Sequence, residues 1–84
     1  ALDSIGNIYI SDTENNRIRK ITPQGIISTF AGNGFTNQSA QDGVKATKFP
    51  LISPLGIVID DKDTVYVAER EGYRIDMIIN DTLY

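Results

Sequence analysis

The feature that most constrains this 84-residue chain is an internal repeat. When the sequence is shifted along itself by 57 residues, the separation of Tyr9 and Tyr66, similar residues align throughout the 27-residue overlap. The identical pairs include Asp3 and Asp60, Glu14 and Glu71, Arg17 and Arg74, Ile18 and Ile75, and Ile21 and Ile78. A fixed period of this kind is typical of solenoids, propellers and repeat arrays, in which each repeat packs on its neighbours.

Six short segments rich in β-branched and aromatic residues lie between turn residues such as Gly, Asn, Asp and Pro. They are residues 8–10, 17–21, 26–30, 55–60, 64–68 and 73–79. Segments of this length and composition predict β-strands joined by tight turns. No stretch keeps a 3.6-residue apolar period, so almost no helix is expected. An all-strand repeat with short connections favours a β-propeller.

The composition excludes several kinds of chemistry. Cysteine and histidine are absent, which removes disulfides, thiolate metal sites and Ser-His-Asp or Cys-His catalysis. The net charge of −3 is a poor match for nucleic acid, because such binding depends on neutralising phosphates. No apolar run approaches the roughly 18 residues of a membrane-spanning helix. We therefore predict no catalytic residue, no metal site, no cofactor and no membrane span, and we disfavour a nucleic acid partner.

Two groups of residues carry a family resemblance. Residues 6–12 (GNIYISD) followed by residues 15–21 (NNRIRKI) resemble the core of an NHL repeat. Residues 22–32 resemble its continuation into an outer strand, and residues 54–60 (PLGIVID) resemble the innermost strand of a following repeat. The resemblance covers nearly the whole chain.

The resemblance implies an all-β fold of antiparallel four-stranded propeller blades, in a ring of about six blades. Residues 1–32 then supply strands two to four of a first blade, residues 33–53 form a long connector between blades, and residues 54–84 supply strands one to three of a second blade. Both blades are incomplete on this division. We therefore expect the chain to be an excerpt of a longer protein, or a fragment that assembles with copies of itself.

The connector, residues 33–53, is longer than most loops. It is rich in Gly, Asn, Gln and Ser, and Asp42 and Gly43 predict a tight turn within it. Loops of more than about 12–15 residues are usually functional or disordered. The connector is therefore the segment in which we expect a feature specific to this protein.

Two pairs of opposite charge recur with the repeat. Asp12 and Arg17, and likewise Glu69 and Arg74, lie five residues apart at the two ends of a predicted strand–turn–strand hairpin. We interpret both as structural pairs that fix the hairpin, because a catalytic pair has no reason to recur in each repeat. The alternative is ligand contact at a propeller face.

Two other clusters have structural or weaker functional interpretations. Asp60, Asp61 and Asp63 lack the Gly and distal Glu of a calcium-binding loop, so we predict an Asx-type turn. A basic stripe could suit RNA, and its members would be Arg17, Arg19, Lys20 and Arg74. Asp76 and Met77 replace Arg19 and Lys20 in the second copy, so the stripe does not persist.

The tripeptides that begin at Asn37 and Asn80 match the N-glycosylation pattern. Glycosylation would place the chain outside the cytosol. The pattern is short, so the compartment stays open, with an extracellular location as one alternative.

The leading functional hypothesis is a scaffold that binds a protein or other ligand, and no enzymatic activity is expected of these residues. One alternative is a segment of a propeller enzyme, similar to a lyase or lactonase, with its active site in other blades. The other is a self-assembling propeller fragment that pairs head to tail with its own copies. The expected partners are accordingly a protein, the remaining blades or further copies of the chain.

Overall fold

The computed structural model describes residues 1–34, 44–48, 50–71 and 74–84, and these residues form two antiparallel β-sheets. Regular helix in this part of the chain is limited to two 3₁₀ turns, Thr13–Asn15 and Ala46–Lys48. The all-β fold predicted from the sequence is confirmed. Asp42, Gly43 and Tyr73 lie outside the described residues, so the predicted tight turn at the first two is not described.

The first sheet is a three-stranded meander with the order β1-β2-β3. Its strands are β1 (Ile8–Asp12), β2 (Arg17–Ile21) and β3 (Ile27–Ala31). The β1–β2 connection can be short because Asn16 adopts the left-handed conformation at the end of the first 3₁₀ turn. Asparagine tolerates that conformation better than most residues. Leu2 adds an isolated bridge to Ile8 at the free side of β1.

The second sheet repeats this meander and extends it. Its order is β4-β8-β7-β6-β5. The strands are β4 (Val44–Lys45), β5 (Pro54–Ile59), β6 (Val65–Glu69), β7 (Arg74–Ile79) and β8 (Thr82–Leu83). The sequence predicted three strands within residues 54–84, and the two-residue β8 is a fourth. The connector supplies β4, which pairs with β8 and so covers a strand edge that would otherwise be free.

One apolar core joins the two sheets. Because side chains alternate along a strand, each sheet has an inner face that enters this core and an outer face that does not. The inner face of the first sheet is Tyr9, Ile18 and Ala31, and that of the second is Val65, Val67, Ile78 and Leu83. Ala46 and Leu51 of the connector complete the core. Tyr9 packs edge-to-face on Phe30, with ring centroids 4.8 Å apart.

The core predicts unequal costs for two substitutions that the repeat makes equivalent. Ile18 is fully buried, whereas its repeat partner Ile75 is 73 % exposed. Ile18→Ala should lower the free energy of unfolding by about 2–4 kcal/mol, because it leaves a cavity in the core. Ile75→Ala should change it by less than about 0.5 kcal/mol. Urea denaturation at a dilution where the chain is monomeric measures both, and equal losses would contradict the assignment of inner and outer faces.

Candidate functional site

Each repeat begins with the same hydrogen-bonded carboxylate turn. The Asp3 carboxylate accepts hydrogen bonds from the Ile5 and Asn7 backbone N–H groups and from the Tyr9 hydroxyl, at 3.1, 2.9 and 2.9 Å. The Asp60 carboxylate accepts the matching three, from the Lys62 and Thr64 N–H groups and the Tyr66 hydroxyl, at 2.9, 3.0 and 3.1 Å. The acidic cluster at residues 60–63 thus contains an Asx-type turn that recurs 57 residues apart.

These hydrogen bonds set the ionisation of the groups involved. Those from Thr64 and Lys62 lower the pKa of Asp60. Burial raises the pKa of Asp3, but the hydrogen bonds from Asn7, Tyr9 and Ile5 outweigh it and lower the pKa overall. Both carboxylates are therefore held in the charged form by the turn, which indicates a structural role.

In the first repeat, the charged residues pair differently from the sequence prediction. The Asp12 carboxylate receives its ion pair from Arg19 Nε at 3.1 Å. Arg17, the predicted partner, lies opposite Asp12 in the strand register, but its Nη2 donates to the Asn33 carbonyl oxygen at 3.1 Å. Arg19 reaches Asp12 because the diagonal neighbour on the same sheet face is within range of a long side chain. The Asp12–Arg17 pair is thus replaced by Asp12–Arg19.

In the second repeat, a buried cluster of three charged residues occupies the same place. Glu69 Oε2 accepts from Arg74 Nε at 2.6 Å, and Glu69 Oε1 accepts from the Ile52 N–H at 2.8 Å. Arg74 Nη2 also lies 2.7 Å from Asp76 Oδ1. Asp76 is only 2 % exposed, and its Oδ2 accepts no hydrogen bond. One guanidinium therefore serves two buried carboxyl groups.

Two carboxyl groups and one cation cannot all be charged cheaply in the core. Burial and the neighbouring Glu69 together raise the pKa of Asp76 to about 8, and Arg74 opposes them only in part. Burial also raises the pKa of Glu69, but hydrogen bonds from Asp76, the Ile52 N–H and Arg74 outweigh it and lower the pKa overall. The cluster is thus a neutral Asp76 beside an ionised Glu69–Arg74 pair.

Sequence reasoning did not single out Asp76 as a site residue. The 57-residue shift aligns it with Arg19, and that replacement of a cation by an acid within an otherwise similar hairpin was the available signal. The basic residues named with Arg19 do not form one stripe. Arg17 and Arg19 lie on the outer face of the first sheet, whereas Lys20 lies on its inner face and Arg74 on the inner face of the second.

The 57-residue shift aligns buried residues on the inner face of one sheet with exposed residues on the outer face of the other sheet. The 57-residue shift aligns Val67, fully buried on the inner face of the second sheet, with Ile10, 45 % exposed on the outer face of the first. It likewise aligns buried Val65 with exposed Ile8. On the other side, it aligns buried Ile18 with exposed Ile75. Each outer face therefore carries the apolar pattern of the inner face on the other sheet.

The remaining sequence predictions concern the two glycosylation tripeptides, metal binding and membrane spans. Asn80 lies exposed in the turn between β7 and β8 with a positive φ of 49°, whereas Asn37 is outside the described residues. Within residues 1–34, 44–48, 50–71 and 74–84, the acidic side chains form no group of three that could hold a metal ion. No helix in that same part of the chain is long and apolar enough to cross a membrane.

The fold and the recurring turns define a class of protein, the all-β repeat proteins built from propeller blades. No family model matches the chain. Curated relatives do match. NHL repeat-containing protein 2 of Homo sapiens is 30 % identical over 83 residues, which is 89 % of this chain and 11 % of that protein. The protein of that name in Bos taurus is 40 % identical over 52 residues, 61 % of this chain and 7 % of the relative.

A plant protein shares the similarity. Protein SUPPRESSOR OF QUENCHING 1, chloroplastic, of Arabidopsis thaliana is 34 % identical over 70 residues, 81 % of this chain and 7 % of that protein. The chain thus spans about a tenth or less of the length of these relatives. The resemblance to NHL-repeat proteins is confirmed, and the chain is a segment of NHL-type repeat sequence with the strands of propeller blades.

The buried cluster predicts a falling stability with rising pH. Between the usual carboxyl pKa of 3.8 and about 8, the folded chain keeps a proton on Asp76 that the unfolded chain has lost. The unfolded state binds fewer protons in this window, so the free energy of unfolding decreases as pH rises through it. Glu69 has the opposite slope, but only below its usual pKa of 4.5.

Asp76→Asn should therefore flatten the pH dependence of stability between about pH 5 and 8. Urea denaturation across that range measures the slope. Asp12→Asn is the matched control, because the lowered pKa of Asp12 affects stability only below 3.8. A slope that persists in Asp76→Asn would show that another group titrates.

Proposed function

We propose that this chain is a non-catalytic binding scaffold, a propeller segment in which each outer sheet face receives a sheet of the same repeat type. We assign residues 1–32 to strands two to four of one blade, residues 33–53 to the connector, and residues 54–84 to the next blade. The observation that carries the proposal is the repeat relation between faces. Side chains buried between the two sheets have exposed counterparts on the outer faces.

The exposed apolar area supports docking of a similar sheet. On the second sheet, Val58 and Ile75 are 65 % and 73 % exposed, and Ile79 lies beside them. Contiguous apolar surface of this kind marks interaction sites. The first sheet presents Ile8 and Ile10 on its outer face. The docking partner is a sheet of the same repeat type. Each exposed outer face is aligned by the repeat with an inner face of the other sheet, and that inner face is covered by such a sheet.

The polar contacts between the two sheets suggest how the register of such docking is set. The Ser11 hydroxyl donates to the Leu55 carbonyl oxygen at 2.6 Å, and the Thr13 hydroxyl donates to the Pro54 carbonyl oxygen at 2.7 Å. The Ser53 N–H donates to Asn16 Oδ1 at 2.9 Å. These three bonds tie the β1–β2 hairpin to the start of β5, so they fix the lateral position of one sheet on the other.

The charged residues described support a structural role. The two carboxylate turns recur in both repeats, and the Asp12–Arg19 and Glu69–Arg74 pairs connect the ends of hairpins. A group that every repeat contains serves the repeat framework. We infer that the function of the segment is to hold neighbouring blades in place and to present a surface to a protein partner.

The docking proposal predicts head-to-tail association of the isolated chain. Light scattering after size exclusion, at increasing concentration, should give a mass above that of the monomer. Ile75→Lys and Ile10→Lys should each abolish association, because each places a charge on one docking face. Ile5→Lys is the matched control. Ile5 is 74 % exposed in a turn, and its repeat partner is naturally Lys62.

Mixing the two variants distinguishes head-to-tail from face-to-same-face pairing. Each variant keeps one intact docking face, and these two faces are complementary. The mixture should therefore form a one-to-one dimer of twice the monomer mass, although each variant alone is monomeric. A wild-type chain that stays monomeric at all concentrations, or a mixture that fails to dimerise, would overturn the proposal.

A further inference from the structure

A groove at the periphery of the two-sheet interface has a composition different from the rest of that interface. Its volume is about 220 Å³. It is bounded on one side by β2 and β3, and on the other by the connector and the β7–β8 turn. The residues that define its chemistry are Lys20, Ser28, Thr29, Lys45, Thr47 and Asp81. The groove therefore offers two ammonium groups and three hydroxyls against one carboxylate.

Two of these groups are held in place by their neighbours. The Lys20 ammonium lies 5.8 Å from the centroid of the Phe30 ring, within the range of a cation–π contact. The Thr29 hydroxyl oxygen accepts a hydrogen bond from Arg19 Nη1 at 2.5 Å. Thr29 pairs with Arg19 in the strand register, so its hydroxyl lies on the outer face with Arg19. Ser28 pairs with Lys20 and shares the face of that lysine.

The charge of Lys20 is not part of the repeat pattern. The 57-residue shift replaces Lys20 by Met77 and the neighbouring Arg19 by Asp76. Features shared by both repeats, such as the carboxylate turns, belong to the framework. A cation that the aligned position of the other repeat lacks is instead suited to a function of this particular protein.

The volume limits the size of the ligand. Sites for small organic molecules typically measure about 300–1,000 Å³, so this groove accommodates a smaller group. Ammonium and hydroxyl groups that line one groove bind oxyanions through charge-assisted hydrogen bonds. The ligand that fits is therefore a single oxyanion group, and on the proposed scaffold function a side chain of a partner peptide carries it.

We propose that this groove is the partner-binding site of the scaffold, and that it binds a peptide side chain ending in a phosphate or carboxylate. Lys20 and Lys45 supply the charge, and Ser28, opposite Lys20 in the strand register, donates a hydrogen bond. Asp81 stands at the same groove and opposes an anion, so it limits affinity. The inference deepens the proposed scaffold function, but it does not require the outer faces to dock.

The test is a titration of the 84-residue chain with a short peptide carrying one phosphoserine, followed by amide NMR shifts at low salt. The same peptide with serine or with glutamate at that position gives the two comparison arms. The phosphoserine peptide should shift the amides of Thr29, Phe30 and Thr47. Lys20→Met, which installs the residue found at the repeat-equivalent position, should weaken binding about tenfold. Asp81→Asn should strengthen it.

Lys62→Met removes the same charge from an exposed turn outside the groove and should leave binding unchanged. A response to the glutamate peptide as well would support the oxyanion site and show that it accepts carboxylates as well as phosphates. Equal binding of the serine peptide, no shift at millimolar peptide, or equal loss in Lys62→Met would overturn the proposal. Failure here with normal head-to-tail association would refute the groove alone, because association is measured separately by mass.

Discussion

Burial of the two inner sheet faces against each other is the interaction on which the rest of this structure depends. An 84-residue chain without disulfides has a thin stability margin, and a sheet of three strands cannot bury both of its faces. The core formed by residues such as Ile18, Val67 and Leu51 supplies the apolar burial that neither sheet supplies alone. The connector matters because Ala46 and Leu51 fill that core and β4 covers an edge of the second sheet.

The same constraint explains why the chain is at once compact and incomplete in its interactions. Two repeats give one inter-sheet interface, so two of the four sheet faces are covered by the other sheet and two are not. Ile18 and Ile75 occupy equivalent positions and differ only in whether a sheet lies over them. Exposure in this molecule therefore reflects position in the series of repeats, and not a difference in sequence pattern.

Much of the fold could be predicted from the sequence, because it is local and recurs. The alternation of apolar residues predicted six strands, and the 57-residue shift related the two hairpins from the sequence alone. Short strands such as β4 could not be predicted, since Val44–Lys45 has no periodic pattern and is a strand only because β8 lies beside it. The Asp12–Arg19 pair was missed for a similar reason. Spacing along the chain favoured Arg17, whereas the choice between two arginines on one face depends on where the Asn33 carbonyl lies.

The charged residues at repeat-equivalent positions differ in burial and in pairing between the two sheets. Asp12 and Arg19 form a half-exposed ion pair on an outer face, where water moderates both charges. At the aligned positions, Glu69 and Asp76 are buried between the sheets, and Arg74 alone neutralises them. Water cannot solvate the Asp76 carboxylate there. The side chain therefore keeps its proton and stays neutral, and its pKa rises. A sheet docked over the first outer face would place Asp12 and Arg19 in the same dry environment, but as a pair with equal and opposite charges and with Arg17 nearby. In that interface both Asp12 and Arg19 would stay charged at neutral pH. In the interface within the chain, Asp76 is instead neutral because it keeps its proton.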